Sequence, residues 1–213
     1  MTQSHSATTV QNSNHPTIPS SRCQIVIIAP STGEACLTEL HHLPKHAHIV
    51  AMGASLEELI QGGTPFKDAN VLLNLSGTAA SIGPIIREMP NLQWFHSVTA
   101  GVDHFLCAEI INHKKLILTN AKGIYSSSLA EYAMGAISYF TKDFPRLIKQ
   151  RQARNWEKYC VTEIRGKTIG IIGYGDIGMA CAKLAVAYGM KVVGLRKNPQ
   201  LSKDDKFVDI VSR

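Results

Sequence analysis

Past residue 22, short runs that are mostly apolar alternate with longer amphipathic stretches. The apolar runs fall at 24–29, 49–52, 71–75, 92–97 and 116–119. Runs of this length read as strands, and one such as 24–29, mostly apolar instead of alternating, suits a strand covered on both faces. Between them, 33–42, 55–61 and 80–89 read as helices. Ser55 is placed to cap the second, and Pro84 interrupts the third. Strand, helix, strand at this spacing implies parallel pairing through helical crossovers.

The pattern then changes. Leu129, Ala133, Ala136, Ile137 and Phe140 recur at helical spacing across 127–142, and Pro145 ends that stretch and opens a second helix over 145–154. Arg165-Gly166-Lys167 reads as a turn into a strand at 168–172. A helix over 177–188, a strand over 191–195 and a further strand near 207–211 follow. The organisation is therefore a tail (1–21), a parallel-sheet domain (22–124), a helical connector (125–165) and a second α/β domain (166–213). The tail has no charged residue and little apolar surface, so it is expected to be disordered. It lacks the apolar core of a secretory leader; it is Ser-rich and acid-poor like an organellar transit segment but lacks the arginines of one, so an organellar address is the lesser alternative to a cytoplasmic one.

Composition narrows the function classes. The chain has 213 residues, 45% hydrophobic and 18% charged, which is a globular balance. No apolar run approaches the ~18 residues of a membrane span. Five cysteines without a CxxC pair argue against a disulfide framework and for a reducing, cytoplasmic setting. The net charge is +6, and 142–167 alone contributes +5. That concentration reads as one solvated helical face, not as a nucleic-acid surface. His41, His42, His46 and His48 cluster around Pro44 and Lys45, a loop composition from which no metal site is expected.

The sharpest motif is Gly173-Tyr174-Gly175-Asp176-Ile177-Gly178, a GxGxxG between an apolar strand and a helix that leads to a second strand. In that setting the first glycine allows a tight turn and the second lets backbone approach a pyrophosphate. The third lets the helix pack close to the strand. A dinucleotide is the expected ligand. An acidic residue at the end of the second strand would hold the ribose hydroxyls of NAD. Here that strand ends Gly194-Leu195-Arg196-Lys197, so Arg196, aided by Lys197, is expected to pair with a 2′-phosphate. NADP(H) is therefore expected over NAD(H).

Three further segments accompany the loop: Asn91-Leu92-Gln93-Trp94-Phe95-His96-Ser97-Val98-Thr99-Ala100-Gly101-Val102-Asp103-His104; Leu118 to Tyr125 running into Leu129-Ala130-Glu131-Tyr132; and Arg154-Asn155-Trp156 followed by Arg165-Gly166-Lys167-Thr168. With them the chain resembles the D-isomer-specific 2-hydroxyacid dehydrogenases, in the branch of glyoxylate and hydroxypyruvate reductases, over about residues 23–210. The resemblance implies a flavodoxin-like substrate domain, a helical hinge and an incomplete Rossmann domain. It implies hydride transfer between NAD(P)H and a small 2-oxo or 2-hydroxy acid, in a full-length homodimer. The substrate carboxylate would be held by backbone amides at Ser76, Gly77, Ala100 and Gly101. Lys45, His96, Asp103 and His104 are expected to be structural or solvated. The family's catalytic Arg, Glu and His find no match up to Arg213, and 213 residues ending there are expected to be inactive alone. The apolar surface that further strands would cover is expected to be exposed. The competing class is a non-enzymatic dinucleotide- or protein-binding module of the corepressor type.

Overall fold

The computed structural model describes residues 22–30, 35–63, 66–202, 204–208 and 210–212, so the expected tail lies outside the described residues. The chain forms two compact units: residues up to Val98 with Val102–Thr119, and Thr99–Gly101 with Asn120 onward.

The first unit is a five-stranded sheet of order β2-β1-β3-β4-β5, built from β1 (Cys23–Ile28), β2 (Ala47–Gly53), β3 (Val71–Asn74), β4 (Trp94–Ser97) and β5 (Ile117–Asn120). β1 pairs in parallel with β2 and β3, and β3 with β4. Successive side chains of β1 go to opposite faces, and both faces are apolar. Val26, Ile28 and Leu72 pack with Leu59, Ile82, Ile85, Phe95 and Phe105, while Ile25, Ile27 and Val71 face Leu37 and Leu40. β1 is apolar on both faces because the sheet is covered twice there.

Three helices connect these strands: α1 (Leu56–Gln61), α2 (Ala79–Arg87) and α3 (Ala108–Ile111). Ser55 caps α1 as expected, its Oγ accepting from Glu58 N at 3.3 Å. Two local expectations change. α2 runs through Pro84 without breaking, carried by the burial of Ile82, Ile85 and Ile86 on its sheet-facing side. The segment around 33–42 is a 3-10 helix over Ala35–His42, and α3 is too short to leave a periodic signal.

The second unit begins with α4 (Ser126–Thr141) and α5 (Phe144–Gln152), followed by β6 (Thr168–Ile172), α6 (Asp176–Ala187), β7 (Lys191–Leu195) and β8 (Ile210–Ser212). The three strands form a parallel sheet of order β6-β7-β8. α4 packs on α6, with Met134 buried beside Ala182, Ala185, Tyr174 and Val192. Asp143 ends the α4 run in a left-handed conformation (φ 51°) and caps α5 through Arg146 N, so Pro145 sits inside the first turn instead of opening it. Apolar surface is exposed here: Ile172 is 88% and Phe140 74% accessible. Among the described residues no helix is long and apolar enough to cross a membrane.

Candidate functional site

Three residues, Gly173-Tyr174-Gly175, join β6 to α6. Gly173 has φ +95°, a conformation that side-chain-bearing residues rarely adopt. Its N–H and that of Tyr174 both donate to Leu195 O, at 3.0 and 2.9 Å, which ties the turn to the end of β7. Gly175 is the N-cap of α6 and carries no capping side chain; a Cβ there would meet nothing within 4 Å. At Gly178 a Cβ would lie 2.7 Å from Gly173 O and 3.1 Å from Ile171 Cγ2. The three glycines thus do three jobs: one bends, one leaves space in front of the loop, and one lets helix and strand close up. The first-turn amides of a helix have no intrahelical acceptor, and the helix dipole favours an anion there. Open space over that end fits a pyrophosphate.

A hollow of about 300 Å³ lies against this loop. Gly173, Gly175, Asp176, Ile177 and Gly178 form one wall; Ala100, Lys122, Gly123, Tyr125, Ser126 and Leu129 form the other. Asn120 holds the second wall together. Its Nδ2 donates to Ala100 O at 2.7 Å and its Oδ1 accepts from Lys122 N at 3.3 Å. Ala121 N donates to Thr99 O at 3.1 Å, and a Cβ at Gly101 would meet nothing within 4 Å. The structure therefore brings Ala100 to the glycine loop. Lys122 and Asn120 were not singled out by the sequence, where their only signal was membership of the segment before α4.

A second hollow, of about 530 Å³, is lined by Gly173, Tyr174, Gly175, Leu195, Arg196 and Lys197. Arg196 donates from Nη1 to Ser202 Oγ at 2.6 Å, and Lys197 is exposed. Tyr174 contributes backbone to the loop, but its side chain is buried in the core. Its ring lies against Gly194, where a Cβ would come within 2.8 Å of Cδ2, and its hydroxyl donates to Asp205 Oδ2 at 3.1 Å. Burial, followed by the Asp205 carboxylate, pushes the phenol well above its ordinary range.

In the first unit, the turn after β3 is locked by Asn74, which is 1% exposed. Its Oδ1 accepts from Gly77 N at 2.7 Å and its Nδ2 donates to Gly77 O at 3.2 Å. A Cβ at Gly77 would lie 2.8 Å from Asn74 Oδ1 and 2.9 Å from Ile82 Cγ1. Gly77 shapes this turn and its amide is already engaged, which leaves Ser76 as the exposed residue. His96 Nδ1 and Trp94 Nε1 both meet Thr119 Oγ1 at 2.8 Å, a β4–β5 brace. Burial lowers the His96 pKa. Asp103 and His104 are exposed. Among the described residues no group of three or more His, Cys, Asp or Glu side chains is placed to hold a metal ion.

Comparison with known proteins agrees with this geometry. Residues 134–212 match the family model described as D-isomer specific 2-hydroxyacid dehydrogenase, NAD binding domain. The chain is 32% identical over 157 residues to a D-3-phosphoglycerate dehydrogenase of Methanocaldococcus jannaschii, covering 73% of this chain and 29% of that protein. It is 30% identical over 146 residues to a hydroxypyruvate reductase of Thermotoga maritima, covering 67% and 47%. It thus spans less than half the length of either relative. Among solved structures, a D-isomer specific 2-hydroxyacid dehydrogenase family protein from Aeromonas salmonicida superposes with a TM-score of 0.62 at 23% identity, over 90% of this chain and 58% of that one. D-2-hydroxyisocaproate dehydrogenase superposes at 0.69 with 18% identity, over 89% and 57%. The strand–glycine-turn–helix geometry, the parallel α/β fold and these matches together show that the chain belongs to the D-isomer-specific 2-hydroxyacid dehydrogenase family.

Proposed function

We propose that this chain supplies the pyrophosphate loop and the carboxylate-binding turns of an NADP(H)-dependent reductase of small 2-oxo acids, of the glyoxylate or hydroxypyruvate type. One observation carries the dinucleotide part. The loop bends at Gly173, stays open at Gly175 and closes against the helix at Gly178, which is the division of labour that a pyrophosphate needs. When bound, the nicotinamide supplies the hydride. The chain's own residues bind and orient. Amides of the first turn of α6, behind the space that Gly175 leaves open, take the phosphates, and Arg196 with Lys197 takes the 2′-phosphate. Of the positions that the resemblance implies for the substrate carboxylate, Ser76 offers exposed backbone in the first unit and Ala100 and Gly101 belong to the second, while Gly77 sets the turn after β3 with its amide engaged by Asn74.

Support for the substrate class comes from relatives named hydroxypyruvate reductase in Thermotoga maritima and glyoxylate reductase in Thermofilum pendens. The absence of a carboxylate at the end of β7 supports NADP(H). No residue of this chain is assigned as general acid, and turnover by the 213-residue chain is not expected. Titration of NADPH and NADH into the purified chain, followed by nicotinamide fluorescence, tests the reading. Saturable binding with NADPH the tighter ligand is expected; binding of neither removes it. Consumption of NADPH with glyoxylate or hydroxypyruvate would show a complete active site within the chain and overturn the expectation of inactivity.

A second reading is a non-enzymatic module of the corepressor type. It draws on the 91% exposure of Trp156, beside Leu147 and Tyr159, in a hollow of about 760 Å³ that also carries Arg151, Arg154 and Lys158. Partner capture that depends on bound dinucleotide, without turnover by any longer form of the protein, would favour it.

A further inference from the structure

We infer that Tyr174 is a positioning residue for cofactor choice, acting through Asp205 and Ser202 on the Arg196 guanidinium. The inference rests on the dinucleotide reading above and adds how the glycine loop is tied to Arg196. Tyr174 sits between two loop glycines, a place where a side chain would be expected to face the ligand. Instead it is fully buried behind the loop, and Gly194 on β7 has no Cβ because the ring occupies that space. A phenylalanine would fill the same core, so the hydroxyl is the informative atom.

That hydroxyl donates to Asp205 Oδ2 at 3.1 Å. The other carboxylate oxygen accepts from Phe207 N at 2.8 Å, and Asp205 N donates to Ser202 O at 3.1 Å. Ser202 is 5% exposed and its Oγ takes Arg196 Nη1 at 2.6 Å. A chain of contacts therefore runs from the glycine loop, through the turn after β7, to Arg196, which with Lys197 faces the 2′-phosphate position. An arginine free in solvent loses rotamer entropy when it clamps a ligand; one already held loses less. The bond to Ser202 uses one of five guanidinium N–H groups, and four remain for the phosphate. A buried hydroxyl is thus spent on fixing the segment that reads the cofactor.

The test is Tyr174→Phe in the 213-residue chain, with NADPH and NADH affinities measured by fluorescence titration and hydrogen exchange followed over 199–208. NADPH affinity should fall about five- to tenfold, while NADH affinity stays within about twofold, because NADH has no phosphate for Arg196. Exchange over 199–208 should accelerate. A general loss of structure would move both affinities together, so the ratio reports positioning. A wild-type chain that prefers NADPH, with the same ratio retained in the variant, overturns the inference. A wild-type chain without preference refutes the cofactor reading instead. The exchange data then decide the positioning, and unchanged protection over 199–208 overturns it. Should Tyr174→Phe not fold, Asp205→Ala removes the same bond together with the one from Phe207 N, so the ratio of NADPH to NADH affinity alone is read, and a ratio equal to that of the wild-type chain overturns the inference.

Discussion

Replacing Gly175 with valine should separate binding from stability. The residue has φ −104° and ψ −152°, at the edge of the extended region and with the negative φ that L residues adopt. A Cβ there meets nothing within 4 Å, so the folded chain has room for it. The remaining cost is the poorer helix cap that valine makes compared with glycine, about 1 kcal/mol at most. For a chain of this size that is a melting shift of about 2–4 °C. The ligand fares differently. The valine methyls fill the space in front of the loop and hold the pyrophosphate away from the amides. Hydrogen bonds to a charged group contribute about 1.5–3 kcal/mol each, so losing two weakens dinucleotide binding by at least about a hundredfold. Gly178→Ala is the contrasting change. Its single methyl falls 2.7 Å from a backbone carbonyl oxygen that cannot rotate away, so it costs about 1–3 kcal/mol in overpacking. Thermal melts and NADPH fluorescence titrations on both variants are the assay. Undiminished NADPH affinity in Gly175→Val would remove the loop from the site. A melting loss equal to that of Gly178→Ala would mean that the space is not open.

The other predictions use the same preparations. Arg196→Asp should reverse the preference from NADPH to NADH, and equal affinities before the change would refute the cofactor assignment. Gly77→Ala should destabilise the first unit by about 1–3 kcal/mol through contact with Asn74 and Ile82, read by urea denaturation; a neutral result would show that the turn is looser than described. Asn74→Leu should cost about 2–4 kcal/mol in the same assay, because it leaves the buried Gly77 amide without an acceptor. His96 has a folded pKa below its ordinary 6.5 because it is partly buried, so the unfolded chain binds the extra proton first. Stability should therefore rise with pH through the window below about 6.5 and fall on acidification, and His96→Gln should flatten that slope. A slope unchanged in the variant would place its origin elsewhere.

Strand positions and the glycine loop were legible because each rests on a local rule. Mostly apolar runs mark strands covered on both faces, and three glycines at fixed spacing between strand and helix mark a turn, an opening and a close approach. What escaped the sequence was set by contacts between distant residues. α2 keeps its helix through Pro84 because tertiary burial outweighs a local penalty. Asn74 looks like any polar residue at a strand end until its amide is seen bonded to both sides of Gly77. Tyr174 stands among ligand-facing positions in the sequence, yet its side chain turns inward to Asp205, 31 residues away. Arg196 could be named from its place after the second strand, but not its tether to Ser202.

β6 has a neighbour on one side only among the described residues. Its other side presents a row of backbone donors and acceptors ending at the exposed Ile172. No Asp, Glu, Lys or Arg falls within Thr168–Ile172 to discourage another strand from adding there. For anyone handling the purified chain this is a colloidal matter. Sedimentation should show mass growing with concentration and little relieved by salt, since strand addition is not ionic. A single gatekeeper charge, Ile172→Lys, should hold the chain dispersed.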